Sequence, residues 1–308
     1  MTGEHRMSAS TWGLLLLLGL IWGGSFFFAR IAVHHVPPFT LVFLRLSLAA
    51  VALHLYLAGR LNIYQSLRRH WPQFLLLGLI NNAIPHTLIF CGQTQMGAGL
   101  ASILNATTPM WTVLIGNQLT TDERLTSAKL IGCLTGLLGT IVLLGPSVTS
   151  GGSVPFWALS LPILAAISYG FAAIYAKRFK GIAPPVVAAG QLTGSSLIML
   201  PVALVIDQPW ALAAPPVTAI VAILGLALLS TAFAYILYFR IIELAGATNT
   251  SLVTLLVPPS ALLLGFLFLG ERMGPAEIAG MLLIAAGLLV LDGRLFIWMK
   301  RDARTRET

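Results

Sequence analysis

The chain has 308 residues, of which 57% are hydrophobic and only 9% are charged. Soluble globular proteins carry about 25% charged residues, so this composition excludes a water-soluble fold. The formal net charge is +8, but the basic residues lie in short connections between apolar blocks. Without a basic stripe on a soluble fold, this charge argues against nucleic-acid binding.

Apolar blocks of about 20 residues, the length that crosses about 30 Å of hydrocarbon, follow one another along the chain. Pairs of proline or glycine separate several blocks and indicate turns between helices. The sequence therefore predicts an all-α integral membrane protein with ten transmembrane helices, at residues 12–32, 39–58, 72–92, 95–117, 126–145, 157–176, 185–206, 216–239, 247–269 and 275–296.

Lysine and arginine collect in alternate connections of this predicted topology. Of the 18 basic residues, all but Arg30, Arg45 and Arg272 lie in the two tails or in the connections after every second span. Because basic loops stay in the cytoplasm, we expect a multi-pass protein with both termini cytoplasmic.

A pattern of small residues and proline occurs twice, at an offset of 149 residues. In the first half it consists of Gly97, Ala98, Ser102, Pro109 and Gly116, and in the second half of Gly246, Ala247, Ser251, Pro258 and Gly265. One residue is missing from the second copy of the connection that follows. Beyond it, the matching residues are Glu123-Arg124 with Glu271-Arg272, Gly132 with Gly280, and Gly139 with Gly287.

Each half of the chain contains five predicted spans, and an odd number turns the second half upside down relative to the first. Such inverted repeats are a common way to build alternating access around a substrate site near the middle of the membrane. We expect a first repeat at 12–146 and a second repeat at 157–296. Cytoplasmic tails at 1–11 and 297–308 would flank them.

Several short motifs in this order resemble a known family. They are Trp22-Gly23-Gly24-Ser25-Phe26 in span 1, Arg45 in span 2, and the Ser102, Pro109, Glu123-Arg124 series with its repeat. The chain thereby resembles the drug/metabolite transporter (DMT) superfamily, in its ten-helix EamA-type branch. The resemblance implies an exporter or facilitator of small metabolites, often amino acids, in the bacterial inner membrane. It is most similar to YddG-type exporters of aromatic and other neutral amino acids.

Span 3 contains polar residues at a depth where unpartnered polar groups are costly. Asn82 and His86 are four residues apart and therefore share a helix face, next to Pro85, which frees a backbone carbonyl. Two interpretations remain open: a bent, pore-lining segment, or hydrogen bonds between packed helices.

Span 4 carries a polar stripe at a spacing of three residues. Asn105, Thr108 and Trp111 continue it from Ser102, with Pro109 beside them. In span 9, Asn249 and Thr254 precede Pro258, and the repeat pairs Thr254 with Asn105. Because pseudo-symmetry would bring Asn105 and Thr254 to opposite sides of one cavity, we expect both to contact substrate.

Three further aromatic residues, Trp22, Tyr169 and Tyr235, lie within spans. They either pack against helices and lipid or form a wall for an aromatic or cationic substrate. Arg45 either extends its charge toward the membrane surface or serves as a counter-charge for a substrate carboxylate. Pro85, Pro109 and Pro258 are predicted to bend the helices that gate the cavity.

These patterns predict a transporter of small metabolites, most of all amino acids, that works by alternating access through a central cavity. The alternative is efflux of drugs or cationic compounds by the same fold, which an acidic residue in mid-membrane would favour. All ten acids lie in loops, tails or span ends. The sequence has no HExxH or GxSxG motif, so we expect no enzymatic activity, no metal and no cofactor. The expected partners are a small-molecule substrate and the lipid bilayer, with the protein a monomer.

Overall fold

The computed structural model describes residues 8–59, 63–120, 126–149, 154–250 and 253–292, and within these ranges it consists of helices joined by short connections, with no β-strand. The α-helices are α1 (Ala9–Val33), α2 (Pro38–Leu57), α3 (Ile63–Gly78), α4 (Ile84–Gln93), α5 (Ala98–Asn105), α6 (Thr108–Leu119), α7 (Ser127–Thr149), α8 (Phe156–Ala176), α9 (Pro184–Ile206), α10 (Val217–Leu224), α11 (Ala234–Thr250), α12 (Val253–Leu269) and α13 (Pro275–Asp292). Two π-helices, Leu79–Ala83 and Gly225–Phe233, continue α3 into α4 and α10 into α11.

Seven of the described helical segments are long and apolar enough to cross a membrane: Ala9–Val33, Pro38–Leu57, Tyr64–Gln93, Ala98–Leu119, Phe156–Phe179, Pro184–Ile206 and Val217–Ala245. Three further apolar helices are shorter: Lys129–Leu144, Val253–Leu269 and Pro275–Val290. Large apolar side chains remain exposed around the bundle, including Val205 at 74% and Leu55 at 73%. Such surface requires lipid around it, which confirms the prediction of an all-helical, multi-pass membrane protein.

Proline and serine begin helices where an unpaired backbone N–H would otherwise remain. Pro38, Pro184 and Pro275 are the first residues of their helices, where a missing N–H costs nothing. At α1, the side-chain oxygen of Ser8 accepts a hydrogen bond from the backbone N–H of Thr11 at 3.2 Å.

The two π-helices lie at matching places in the two halves of the chain. The offset of 149 residues carries Leu79–Ala83 onto residues 228–232, inside the second π-helix. Side-chain hydroxyls bind carbonyls of both segments: Ser168 donates to the Ile80 oxygen at 2.7 Å, and Thr231 donates to the Leu226 oxygen at 2.8 Å. One carbonyl in each segment thus accepts a side-chain hydrogen bond, from α8 in the first and from within the segment in the second.

Helices α7 and α13 approach each other through glycines. A Cβ on Gly139 would lie 2.7 Å from the carbonyl oxygen of Gly280. At the other end of the contact, a Cβ on Gly287 would lie 2.6 Å from the Gly132 oxygen. Both distances are too short for a side chain, so the two backbones pack directly, as small residues allow in membranes.

Helices of the first half of the chain pack closely against helices of the second half. A Cβ on Gly23 of α1 would lie 2.5 Å from the Cβ of Ser260 in α12. A Cβ on Gly78 of α3 would lie 2.6 Å from the carbonyl oxygen of Gln191 in α9. Helices from both halves therefore surround the centre of the molecule.

Candidate functional site

A central cavity of about 1170 Å³ lies between these helices. At one end its lining includes the exposed residues Lys177, Lys180 and Pro184, at the connection from α8 to α9, so the cavity reaches the surface there. At the other end the lining includes the buried residues Phe90 and Gln93 of α4. The cavity is therefore open on one side of the bundle and closed on the other.

Most of the sequence-predicted site residues line this cavity. They are Trp22, Arg45, Asn82, His86, Asn105, Thr108, Pro109, Tyr169, Tyr235 and Thr254. Because α1, α2, α4, α5, α6, α8, α11, α12 and the first π-helix supply them, the cavity draws on both halves of the chain.

Four predicted site residues are placed differently. Trp111 of α6 is absent from the lining, and its Nε1–H donates to the Thr107 hydroxyl at 3.2 Å. Pro85 lies at the start of α4, directly after the first π-helix, and does not line the cavity. Pro258 lies inside α12, which runs unbroken from Val253 to Leu269. The side chain of Asn249 lies outside the described part of the chain.

Arg45 is the buried cation of the cavity, with 7% of its surface exposed. Its Nε–H donates to the Thr231 hydroxyl at 3.0 Å. Its guanidinium carbon lies 5.7 Å from the ring centroid of Phe90, within the range of a cation–π interaction. Two contacts from different helices thus hold the charge inside the membrane.

Several polar atoms around the cavity are buried without a hydrogen-bond partner. They are the Asn82 Nδ2, the His86 Nδ1, the Gln93 Oε1 and the Asn105 Oδ1. A buried polar group without a partner costs about 1–3 kcal/mol, so such groups are retained where water or a polar ligand binds them. This part of the cavity is therefore equipped for a polar solute.

A hydrogen-bonded chain crosses the cavity wall through Gln191, a residue that the sequence reasoning missed. The Asn81 Nδ2 donates to the Gln191 Oε1 at 2.8 Å, and the Gln191 Nε2 donates to the Tyr235 hydroxyl at 3.1 Å. The chain links the first π-helix through α9 to α11. The available signal was an amide in the middle of an otherwise apolar span, which is as costly there as Asn82 is in span 3.

Gln93 is a second amide that sequence reasoning missed, and it lies at the closed end of the cavity. It is fully buried, and its Nε2 donates to the Phe26 carbonyl oxygen at 2.8 Å. The backbone carbonyl oxygen of Gln93 accepts a hydrogen bond from the Arg30 guanidinium. Helices α1 and α4 are joined by these two bonds beyond the end of the cavity.

Aromatic rings form part of the cavity wall. The ring centroids of Trp22 and Tyr238 lie 5.4 Å apart, and those of Tyr235 and Phe239 lie 5.9 Å apart. Both distances are typical of favourable ring pairs. All four residues line the cavity, so a planar apolar group entering it would contact rings.

The cavity lining carries positive charge. It includes Arg45, Lys177 and Lys180, whereas no aspartate or glutamate among the described residues lines it. The described part of the chain also contains no group of three or more His, Cys, Asp or Glu side chains that could hold a metal ion. Electrostatics therefore favour a solute with at least one anionic group over a cation.

Comparisons with known proteins agree with this architecture. The sequence model of the EamA-like transporter family matches residues 10–145 and 156–291. A probable terminal-alkyne amino-acid exporter of Streptantibioticus cattleyicolor is 28% identical over 306 residues, which cover 97% of this chain and 98% of that protein. A probable amino-acid metabolite efflux pump of Escherichia coli K12 is 27% identical, over 92% of this chain and 95% of that protein. A solved crystal structure with 21% identity matches 92% of this chain and 98% of its own with a TM-score of 0.65, which shows a shared fold.

Proposed function

The chain belongs to the EamA-like transporter family, and from this membership we propose that it exports amino acids, chiefly neutral and aromatic ones, by alternating access. It is a membrane transporter, and the proposal concerns its substrate and its mechanism. The observation that carries the proposal is the set of buried, unpartnered polar atoms that line the central cavity. A solute that enters can supply the hydrogen bonds that the protein itself leaves unmade.

The proposed mechanism needs ten spans arranged as two inverted halves. Two features support this arrangement. The π-helices recur at the offset of the sequence repeat. The contact of Gly132 with Gly287 becomes the contact of Gly280 with Gly139 when repeat-related residues are exchanged, as a twofold axis requires. Rocking of one half against the other would then expose the same cavity to each side in turn.

The proposed orientation places both termini in the cytoplasm of a bacterial inner membrane. Basic residues mark cytoplasmic connections, and Lys177 and Lys180 stand at the mouth of the cavity. The described conformation would then be open to the cytoplasm and closed toward the outside. An exporter loads its substrate in this state.

The shape and charge of the cavity favour an amino acid over a cationic compound, the alternative that the sequence left open. A zwitterion offers a carboxylate to the cationic lining, and its ammonium group can donate to amide oxygens such as the Gln93 Oε1. The rings of Trp22 and Tyr238 offer contact for an apolar or aromatic side chain. A cation would meet Arg45 with no described acid beside it.

Transport by the purified protein in proteoliposomes tests the proposal. Vesicles loaded with single radiolabelled amino acids, with and without a pH gradient, are compared with protein-free vesicles. We expect release of neutral and aromatic amino acids to be at least about ten times faster with protein present, as catalysed flux requires. Release of quaternary ammonium compounds with no release of any amino acid would instead establish the alternative.

A matched pair of variants connects the flux to the cavity. Asn105→Ala removes an amide that lines the cavity, whereas Leu138→Ala shortens a side chain that is 52% exposed on the outside of α7. We expect the first variant to lower flux and the second to leave it unchanged. Equal flux from both variants and the unmodified protein would exclude Asn105 from the substrate site.

A further inference from the structure

We propose that Arg45 binds the carboxylate of the transported amino acid, an inference that rests on the proposed export of amino acids. A free carboxylate would then be a condition of transport. Amides, esters and amines derived from the same amino acid would be excluded, whatever their side chain.

The hydrogen bonding of Arg45 leaves one edge of the guanidinium available. Thr231 uses its own proton to bond to the Leu226 oxygen, so its hydroxyl oxygen accepts from the Arg45 Nε–H. Among the described residues, nothing accepts a hydrogen bond from the two Nη groups. The free Nη edge has the geometry that binds the two oxygens of a carboxylate in parallel.

No counter-ion for Arg45 is found among the four acids whose side chains the structure describes, each of which is bonded elsewhere. Asp207 accepts from the Thr40 N–H, and Glu271 accepts from the Ala98 N–H. Glu243 pairs with Arg240, and Glu277 accepts from the Gly274 N–H. Because an unpaired charge within a membrane is costly, its retention beside a cavity indicates that a ligand or water compensates it.

The neighbourhood of Arg45 can also bind the other charge of a zwitterion. Phe90, on which the guanidinium lies, is three residues from Gln93 in α4, so the two side chains are neighbours on the helix surface. The bond from the Gln93 Nε2 to the Phe26 oxygen fixes the orientation of the amide. The Gln93 Oε1 is buried without a partner and is available to accept from an ammonium group.

The experiment measures binding and transport of L-phenylalanine with two competitors, L-phenylalaninamide and 3-phenylpropionate. The first competitor lacks the carboxylate and the second lacks the ammonium group. In the unmodified protein we expect 3-phenylpropionate to inhibit and the amide to have no effect. Intrinsic tryptophan fluorescence of the detergent-purified protein gives binding independently of flux, since Trp22 lines the cavity.

Two substitutions change the charge and the geometry separately. Arg45→Gln removes the charge, and we expect the half-saturating concentration of phenylalanine to rise on the order of 100-fold, as for removal of one partner of a buried charge pair. Arg45→Lys keeps the charge but loses the planar fork, and we expect a rise of about tenfold. Leu138→Ala serves as the control on the lipid-facing surface, with no change expected.

The outcomes separate the two proposals. If the protein transports phenylalanine but Arg45→Lys binds it unchanged and the amide competes as well as phenylalanine, the role of Arg45 is wrong and amino-acid export stands. If no amino acid is transported but 3-phenylpropionate binds in an Arg45-dependent manner, export is wrong and the carboxylate site stands. Should Arg45→Gln lose its monodisperse elution profile, Arg45→Lys and the competitor series still decide the question.

Discussion

The carboxylate of Glu271 accepts a hydrogen bond from the backbone N–H of Ala98 at 2.7 Å. Its second oxygen accepts from the Gly99 N–H at 3.1 Å, so the side chain caps the start of α5 with both oxygens. Position 97 requires glycine, because a Cβ at this position would lie 2.5 Å from the Glu271 carboxyl carbon. A residue from the second half thus holds the first turn of a cavity-lining helix of the first half.

Glu271→Ala removes this cap, and we expect a loss of about 0.5–2 kcal/mol in stability together with a looser closed end of the cavity. Thermal unfolding in detergent measures the stability. Labelling of a cysteine introduced at Ser102, which is buried beside the cavity, measures access from the closed side. Glu277→Ala is a suitable control, because Glu277 caps only its own helix at Gly274. Equal labelling of the Glu271→Ala and Glu277→Ala proteins would argue against a role of the cap in closure.

Gly139→Ala should destabilise the protein because the new methyl group would lie 2.7 Å from the Gly280 oxygen. Overpacking of this kind costs about 1–3 kcal/mol, since two backbones must separate to admit the methyl group. A thermal shift assay in detergent gives the change. Leu138→Ala, at the adjacent exposed position, should change the midpoint little. A midpoint for Gly139→Ala equal to that of the control would contradict the direct backbone contact.

Gln191→Leu should lower transport because it breaks the hydrogen-bonded chain across the cavity wall. The Asn81 Nδ2 loses its acceptor and the Tyr235 hydroxyl loses its donor. Leaving such groups unsatisfied costs about 1–3 kcal/mol. Tyr235→Phe removes one bond of the chain only, so we expect a smaller loss of flux. If Gln191→Leu transports as well as the unmodified protein, the chain is not required for substrate passage.

Asn105→Ala and Trp111→Ala should differ in their kinetics, although the sequence predicted both residues at the substrate site. Asn105 lines the cavity, so its removal should raise the half-saturating concentration. Trp111 bonds to Thr107 within α6 and its preceding turn, so its removal should mainly lower stability. Flux measured over a range of substrate concentrations separates the two effects. A raised half-saturating concentration in the Trp111→Ala protein would indicate that Trp111 contributes to substrate binding after all.

The helical membrane fold followed from the sequence because length and hydropathy alone decide whether a segment suits a bilayer. Part of the cavity lining was also predictable, since polar residues such as Asn82, His86 and Asn105 are conspicuous in apolar surroundings. Trp111 was assigned to the cavity because it continues the polar stripe of Ser102, Asn105 and Thr108 at a spacing of three residues. In the structure the side chain of Trp111 donates to Thr107 instead of lining the cavity, a contact that the spacing alone does not reveal.

The π-helices had no signature that the sequence reasoning could use. In the structure the first of these wide turns accepts a hydrogen bond from Ser168 of α8 to the Ile80 oxygen, a contact between distant parts of the chain that local composition does not reveal. The pairing of Arg45 with Thr231 was hidden for the same reason. The two residues are 186 positions apart, and only the packed bundle brings the second π-helix against α2.

The π-helices also offer each half of the chain a way to rotate side chains about the helix axis. Each wide turn accommodates one residue more than an α-helical turn, and one residue corresponds to about 100° of rotation. If the wide turn migrates along the chain, the residues it passes swing away from one neighbour toward another. Asn82 lies in the first of these segments and Thr231 in the second, so such a migration would change which polar groups face a solute in the cavity.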